Sequence, residues 1–324
     1  MRSASGRSLR LGLYGAGAHS RGVLLPALVG LEHPLEAVCD PRVGLADDLA
    51  QRFAFRSSFT DLASLVRDAG VQALIISRDA PNLVGIVEPL LGSGLPFWVD
   101  AATVGLEKLI GRLKRRSRNG PIYMISHPHR FAPAFVRAAE LIRSGRLGEL
   151  VLGSLEICSA KTAGGQKELP LEHLLEGALD LLCFLLGRAS RVYASWDGAS
   201  MLAGVIKFEA TAVVLQLRQG VWAGQACHQL RLHGQQGQEL YVGNLTDMTA
   251  REGESVLARS VQPMAEGVDV CVQHGWTGSL ASFFSAVSRA EQASSDLTNL
   301  LATRKLCEAV IRSASSGREV GLRT

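Results

Sequence analysis

Gly15 and Gly17 stand two apart in the stretch LYGAGAHSRG, Leu13 to Gly22, with Ser20 where a third glycine is usual. With a strand before this turn and a helix after it, the amides of Ala18, His19 and Ser20 would face an incoming anion. The two missing side chains would let the backbone turn tightly and approach that anion closely. Asp40 ends the next apolar run, about twenty residues on, where an acceptor for a ribose hydroxyl belongs. The chemistry implied is the cradling of a dinucleotide pyrophosphate. Asp40 favours NAD because a carboxylate repels a 2′-phosphate, and Arg42 beside it leaves NADP open. Ser77 and Arg78, at the end of a later apolar run, complete the expected cofactor contacts.

The elements that must position these residues are legible as alternating short apolar runs and longer helical patterns. Strands are expected at Leu9 to Tyr14, Leu35 to Cys39, Val71 to Ser77, Phe97 to Val99 and Ile122 to Ser126, with helices at Arg21 to Gly30, Leu45 to Phe53, Asn82 to Leu91 and Leu106 to Arg116. Strands apolar on both faces and separated by helices imply a parallel sheet covered on both sides, and right-handed crossovers make it doubly wound. Past Pro128 the rhythm changes. A helix from Pro133, the strand LVLGSLEICSA, a long apolar helix ending at Leu186 and several strands joined by short polar turns predict a second, largely antiparallel mixed sheet. The fold class is therefore α/β, with a dinucleotide-binding domain at 1–127 and a substrate and oligomerisation domain at 128–324. Phe283 and Phe284 of the closing helices are read as core.

A chain of 324 residues, 47% hydrophobic and 20% charged, is large enough for two cores. The net charge of +4 is small, and the basic run from Arg112 to Arg118 reads as a solvated helix end, which argues against a nucleic-acid partner. The apolar stretch behind the basic N-terminus is broken by His19 and Arg21, so neither a signal peptide nor a membrane span is expected. Six scattered cysteines without a Cys-x-x-Cys pair read as reduced core residues of a cytoplasmic protein. No metal site is expected, since His127, His129 and His173 have no carboxylate or cysteine at metal spacing.

The chain resembles the glucose-fructose oxidoreductase and inositol dehydrogenase family (Gfo/Idh/MocA) almost end to end. The segments that carry this are GLYGAGAHSRGVLLPAL, EAVCDPR, HRFAPAFVRAAELIRSGRLGEL, GALDLLCFLLG and LASFFSAVSRA with LATRKLCEAVIRSASSGREVGL. The resemblance implies a Rossmann domain, a second domain with an open mixed sheet, and nicotinamide-dependent chemistry on sugars or polyols. It also marks departures. The family's Thr-Pro and following His fall on Arg78, Asp79 and Leu83; its Glu-Lys-Pro falls on Asp100, Ala101 and Ala102; its Asp, His and Asp of the long helix fall on His173, Gly177 and Asp180.

Loss of the lysine and of the customary base matters, because a positioned base typically supplies about a hundred- to ten-thousand-fold in rate. Positions 173, 177 and 180 share one stripe of a helix, so His173 is a candidate replacement acid/base, against the plainer reading of a polar residue near the helix start. Asp180 and Asp100 keep carboxylates at matched positions. Lys161, after LEICSA, could supply the charge that Ala101 lacks, and His129 in SHPHRF is placed on one side of an extended segment with His127. Glu172 and Glu176 are expected to be exposed or at the rim of the site, and Arg130 to anchor the domain junction. Three functions follow: a divergent NAD(P)-dependent oxidoreductase on a sugar-like hydroxyl, carbonyl or imine compound; a non-redox cofactor-binding regulator or accessory subunit; or a lyase or hydrolase on the same fold. The expected partners are a small-molecule substrate and a second copy of the chain.

Overall fold

The computed structural model describes residues 8–102, 106–113, 115, 120–160, 170–222, 227–261, 270–291 and 297–322. These gather into two units, Met1–Pro128 with Asp269–Thr298, and His129–Val268 with Asn299–Thr324. The first unit takes back a late segment, which a division of the chain at one point does not contain.

In the first unit the order is β1 (Leu11–Tyr14), a π-helical turn (Ser20–Leu24) running into α1 (Leu25–Val29), β2 (Leu35–Cys39), α2 (Leu45–Phe53), β3 (Ser57–Phe59), α3 (Leu62–Asp68), β4 (Ala73–Ile76), α4 (Leu83–Ser93), β5 (Phe97–Asp100), α5 (Leu106–Leu113) and β6 (Tyr123–Ser126). The strands form one parallel sheet in the order β3-β2-β1-β4-β5-β6. Because helices cover both faces, β1, β4 and β5 are buried along their whole length, which is why they read as unbroken apolar runs. The order reverses between β1 and β4, the switch point outside which ligands bind in such sheets. β3 and α3 escape the sequence reading: three half-buried residues, SSF, carry no usable period.

The second unit holds a 3₁₀ turn (Pro128–Phe131, whose first residue closes the first unit), α6 (Pro133–Arg143), β7 (Leu150–Ala160), α7 (Leu171–Leu186), β8 (Arg191–Trp196), β9 (Met201–Lys207), β10 (Ala212–Val221), β11 (Cys227–Gly234), β12 (Gln238–Gly243), β13 (Asp247–Glu252) and β14 (Ser255–Val261). α8 (Val270–Gln273) and α9 (Trp276–Arg289) return to the first unit, and α10 (Leu297–Ser316) and β15 (Val320–Gly321) end the chain. The nine strands run β14-β13-β12-β11-β7-β10-β9-β8-β15, antiparallel except for β10 beside β7. The expected α/β architecture, a Rossmann sheet and a mostly antiparallel mixed sheet, is what the structure has. Alternation is plain on β10, where Val213, Leu215 and Leu217 enter a core shared with α6, α7 and α10 while Gln216 and Arg218 face away. Among the described residues no helix is long and apolar enough to cross a membrane.

α9 explains why the late segment belongs with the first sheet. Trp98 Nε1 donates to Ser279 Oγ at 2.9 Å, Ser279 also bonds Ser126, and Cys271 Sγ reaches Val23 O at 3.3 Å. Phe283 and Phe284 are buried, as expected, and Phe284 meets the His33 ring edge-on.

Candidate functional site: the turn after β1 and the charged cluster beside it

Gly15 takes φ +97°, and a Cβ there would lie 2.7 Å from Ala80 N, so a side chain is excluded by conformation and by space. The chain is helical from Ala18. Ser20 N, at the start of this helix, donates to Asp79 Oδ2 at 2.8 Å, a carboxylate at the positive end of a helix dipole. Ser77 Oγ accepts from Asp79 N at 3.2 Å and donates to Oδ2 at 3.4 Å, which fixes the side chain from behind. A Cβ at Gly17 would stand 2.6 Å from Asp79 Cγ. The room made by the second glycine is therefore filled by the chain's own acid. Sequence reasoning matched Asp79 to a lost proline and gave it no role; nothing local reveals that a residue 59 positions away caps this helix.

Asp40 is fully buried. Its Oδ2 accepts from Ala16 N at 2.7 Å, its Oδ1 accepts from Arg42 N at 3.0 Å and Arg42 Nε at 2.8 Å, and a second guanidinium nitrogen closes the fork on Oδ2. Burial alone would raise this carboxyl, but the Arg42 and Ala16 bonds overcome it and hold it below the usual carboxylate range. Arg42 also donates to Asp79 O at 3.2 Å, tying together the two acids of the turn.

The ends of β4 and β5 carry a second cluster. Asp100, 1% exposed, accepts from Arg78 Nε at 2.7 Å and from Ala102 N at 2.9 Å, and His19 Nε2 stands 3.1 Å from it. Arg78 lies over the Trp276 ring at 5.2 Å, and His19 meets the same ring edge-on at 4.8 Å. Burial pushes the Asp100 carboxyl up, but Arg78 and then His19 bring it well below the ordinary range. A carboxylate held in this way serves as the counterion of Arg78. Ala101 beside it is a buried methyl.

In the second unit, Asp180 is buried and held by both arms of the Arg130 guanidinium, with Nε to Oδ2 at 2.8 Å. Arg130 and Arg143 also stand over the Phe184 ring at 5.4 and 4.9 Å. Asp180 thus anchors α7, and Arg130 holds it within the second unit. His173 is half-buried in the first turn of α7, and its amide donates to Pro170 O at 2.9 Å. A Cβ at Gly177 would meet no described atom within 4 Å. Glu176 corrects the expected exposed rim: it is buried against Arg304 at 3.1 Å. The 3₁₀ turn opened by Pro128 replaces the extended segment expected around His129, so the alternation linking it to His127 does not apply; the His129 ring meets His228 at 5.0 Å. Lys161 and the segment TAGGQKE lie outside the described residues.

No family model matches the chain, and no curated protein does. Solved structures do. An oxidoreductase from Agrobacterium radiobacter, solved in complex with NAD+, L-tartaric acid and magnesium, matches with a TM-score of 0.76 at 16% identity, over 97% of this chain and 98% of that one. Levoglucosan dehydrogenase, solved with NADH, matches at 0.80 and 15%, over 98% and 100%. An oxidoreductase from Thermotoga maritima matches at 0.78 and 17%, over 97% and 98%. The fold is theirs. At this identity the likeness extends to the architecture and stops short of the side chains that do chemistry.

Proposed function

We propose that the chain is an NAD(H)-linked oxidoreductase acting on a small hydroxyl, carbonyl or imine compound, with the dinucleotide held at the turn after β1. The observation that supports this is the anion seat itself. Ser20 N, three residues after the second of two glycines whose Cβ atoms would collide with what faces them, already binds a carboxylate at 2.8 Å. A pyrophosphate is a larger anion of the same demand. The backbone of the turn fits the group, and one side chain stands in its seat. Asp79 must swing out first, and Gly17 then leaves the room.

When bound, the dinucleotide would supply or accept a hydride. The chain's own part is to hold and to orient. The amides from Gly17 to Ser20 would face the phosphates, Arg42, fixed by the buried Asp40, would stand at the ribose end, and Ser77 would be released to a new partner once Asp79 turns. Asp100 fixes His19 from behind, which leaves this imidazole as the group of the turn suited to pass a proton. Ala101 offers nothing to a reacting hydroxyl, so the proposed substrates include those whose proton can come from solvent.

A second reading, a non-redox descendant of the fold, is favoured by the same Asp79 together with Ala101 and Gly177. Calorimetric titration of NADH into wild type, Asp79→Asn and Asp79→Ala separates the two. Removing the competing charge should tighten NADH about tenfold, or about 1.4 kcal/mol. If none of the three folded proteins binds NADH or NADPH, the oxidoreductase reading gives way to the non-redox one.

A further inference from the structure

Two of the six cysteines meet on the face of the second sheet turned away from the helix-packed core, Cys158 buried and Cys227 half-buried. On β7, Leu155 and Ile157 enter the helix-packed core, so Glu156 and Cys158 point the other way. Cys227 opens β11 as the direct cross-strand partner of Cys158, and Arg218 of β10 is its partner on the opposite side. The two thiol sulfurs and a Glu156 carboxylate oxygen lie within 4.8 Å of one another, with Cys158 Sγ 3.5 Å from Glu156 Oε1. Bonds of about 2.3 Å to sulfur and about 2.1 Å to oxygen in tetrahedral array separate ligand atoms by roughly 3.6 Å. The donors already stand near that spacing.

We propose that Glu156, Cys158 and Cys227 form a binding site for one divalent cation of the zinc class, with water in the fourth position. The donor set, two sulfurs and a carboxylate oxygen, suits a borderline-soft ion over magnesium or calcium. Arg218 is the built-in competitor. Its guanidinium donates to Glu156 Oε1 at 3.0 Å and also interacts with the Cys158 thiol, and this side chain is 45% exposed. On binding, the hydrated cation sheds all but one of its waters, the two thiol protons leave to solvent, two sulfur-metal bonds and one oxygen-metal bond form, and the guanidinium withdraws. Nothing is oxidised or reduced. The site lies wholly within the second unit and is independent of the turn after β1.

Cobalt(II) titration of the full, reduced chain tests this, because thiolate-to-cobalt charge transfer gives a near-ultraviolet absorption that oxygen or imidazole ligation does not. Wild type should develop this band to a plateau at one cobalt per chain, displaced by zinc, with native mass spectrometry showing one retained zinc. Cys227→Ser, half-buried and the gentler change, should lose at least half of the band, Cys158→Ser likewise, and Glu156→Gln should weaken binding while keeping it. Arg218→Gln should tighten binding about tenfold. A wild type without the band overturns the site, and so does a folded Cys227→Ser that keeps it at full strength.

Discussion

The two sheets place charge in opposite ways. In the parallel sheet, covered on both faces, the acids at the strand ends are buried and locked to arginines: Asp40 to Arg42, Asp100 to Arg78. In the nine-stranded sheet, among the described residues, helices pack one face, and the pairs on the other face, Arg218 with Glu156 and Arg231 with Glu239, are partly open to solvent. A buried carboxylate depends on its partner, since removing one partner strands an uncompensated charge; an exposed pair is screened and worth little. Coverage of the sheet, more than the number of contacts, decides which pairs matter.

The sharpest way to break this comparison is Arg78→Ala. It should cost about 3–5 kcal/mol in urea unfolding, because Asp100 stays buried with only His19 and the Ala102 amide beside it. A cost below 1 kcal/mol would mean the cluster is open to water. Next in size is acid stability. Asp100 and Asp40 have folded values below their unfolded ones, so their contribution is full above about pH 4 and is lost as pH falls through the lower folded values. Asp100→Asn should therefore flatten the loss of stability between about pH 4 and pH 2; an unchanged slope would remove Asp100 from this account. Asp79→Ala comes third. It removes the acceptor at the helix start and should cost about 1 kcal/mol, most of which Asp79→Asn should avoid because its amide oxygen still accepts from Ser20 N. The smallest effect belongs to Arg231→Ala on the open face, less than about 1 kcal/mol in the same measurement; a larger cost would show that this face is covered.

What could be read in the sequence follows from distance along the chain. LGLY, LEAVC and ALII announce a two-side-buried sheet because each strand carries its own pattern. Gly15 needs its freedom for a turn that is local, and the acid of the next strand does come to that turn. What escaped is what is made between residues far apart. Asp79 caps a helix that starts at another strand, Cys158 meets Cys227 only through sheet register, and Glu176 looks like a surface acid until Arg304 arrives from α10. His129 was misplaced for a local reason, since Pro128 ends the strand and starts a tight turn.

The placement of α9 bears on how the molecule is made. Trp98, on β5 of the first sheet, bonds to Ser279, which the ribosome adds 181 residues later. Until that helix emerges, a nascent first unit has its six strands but lacks the cover over Trp98 and the serine that Ser126 awaits. Fragments ending near Pro128 should accordingly be sticky and poorly cooperative, and adding residues 269–298 back as a separate peptide should restore a single sharp transition.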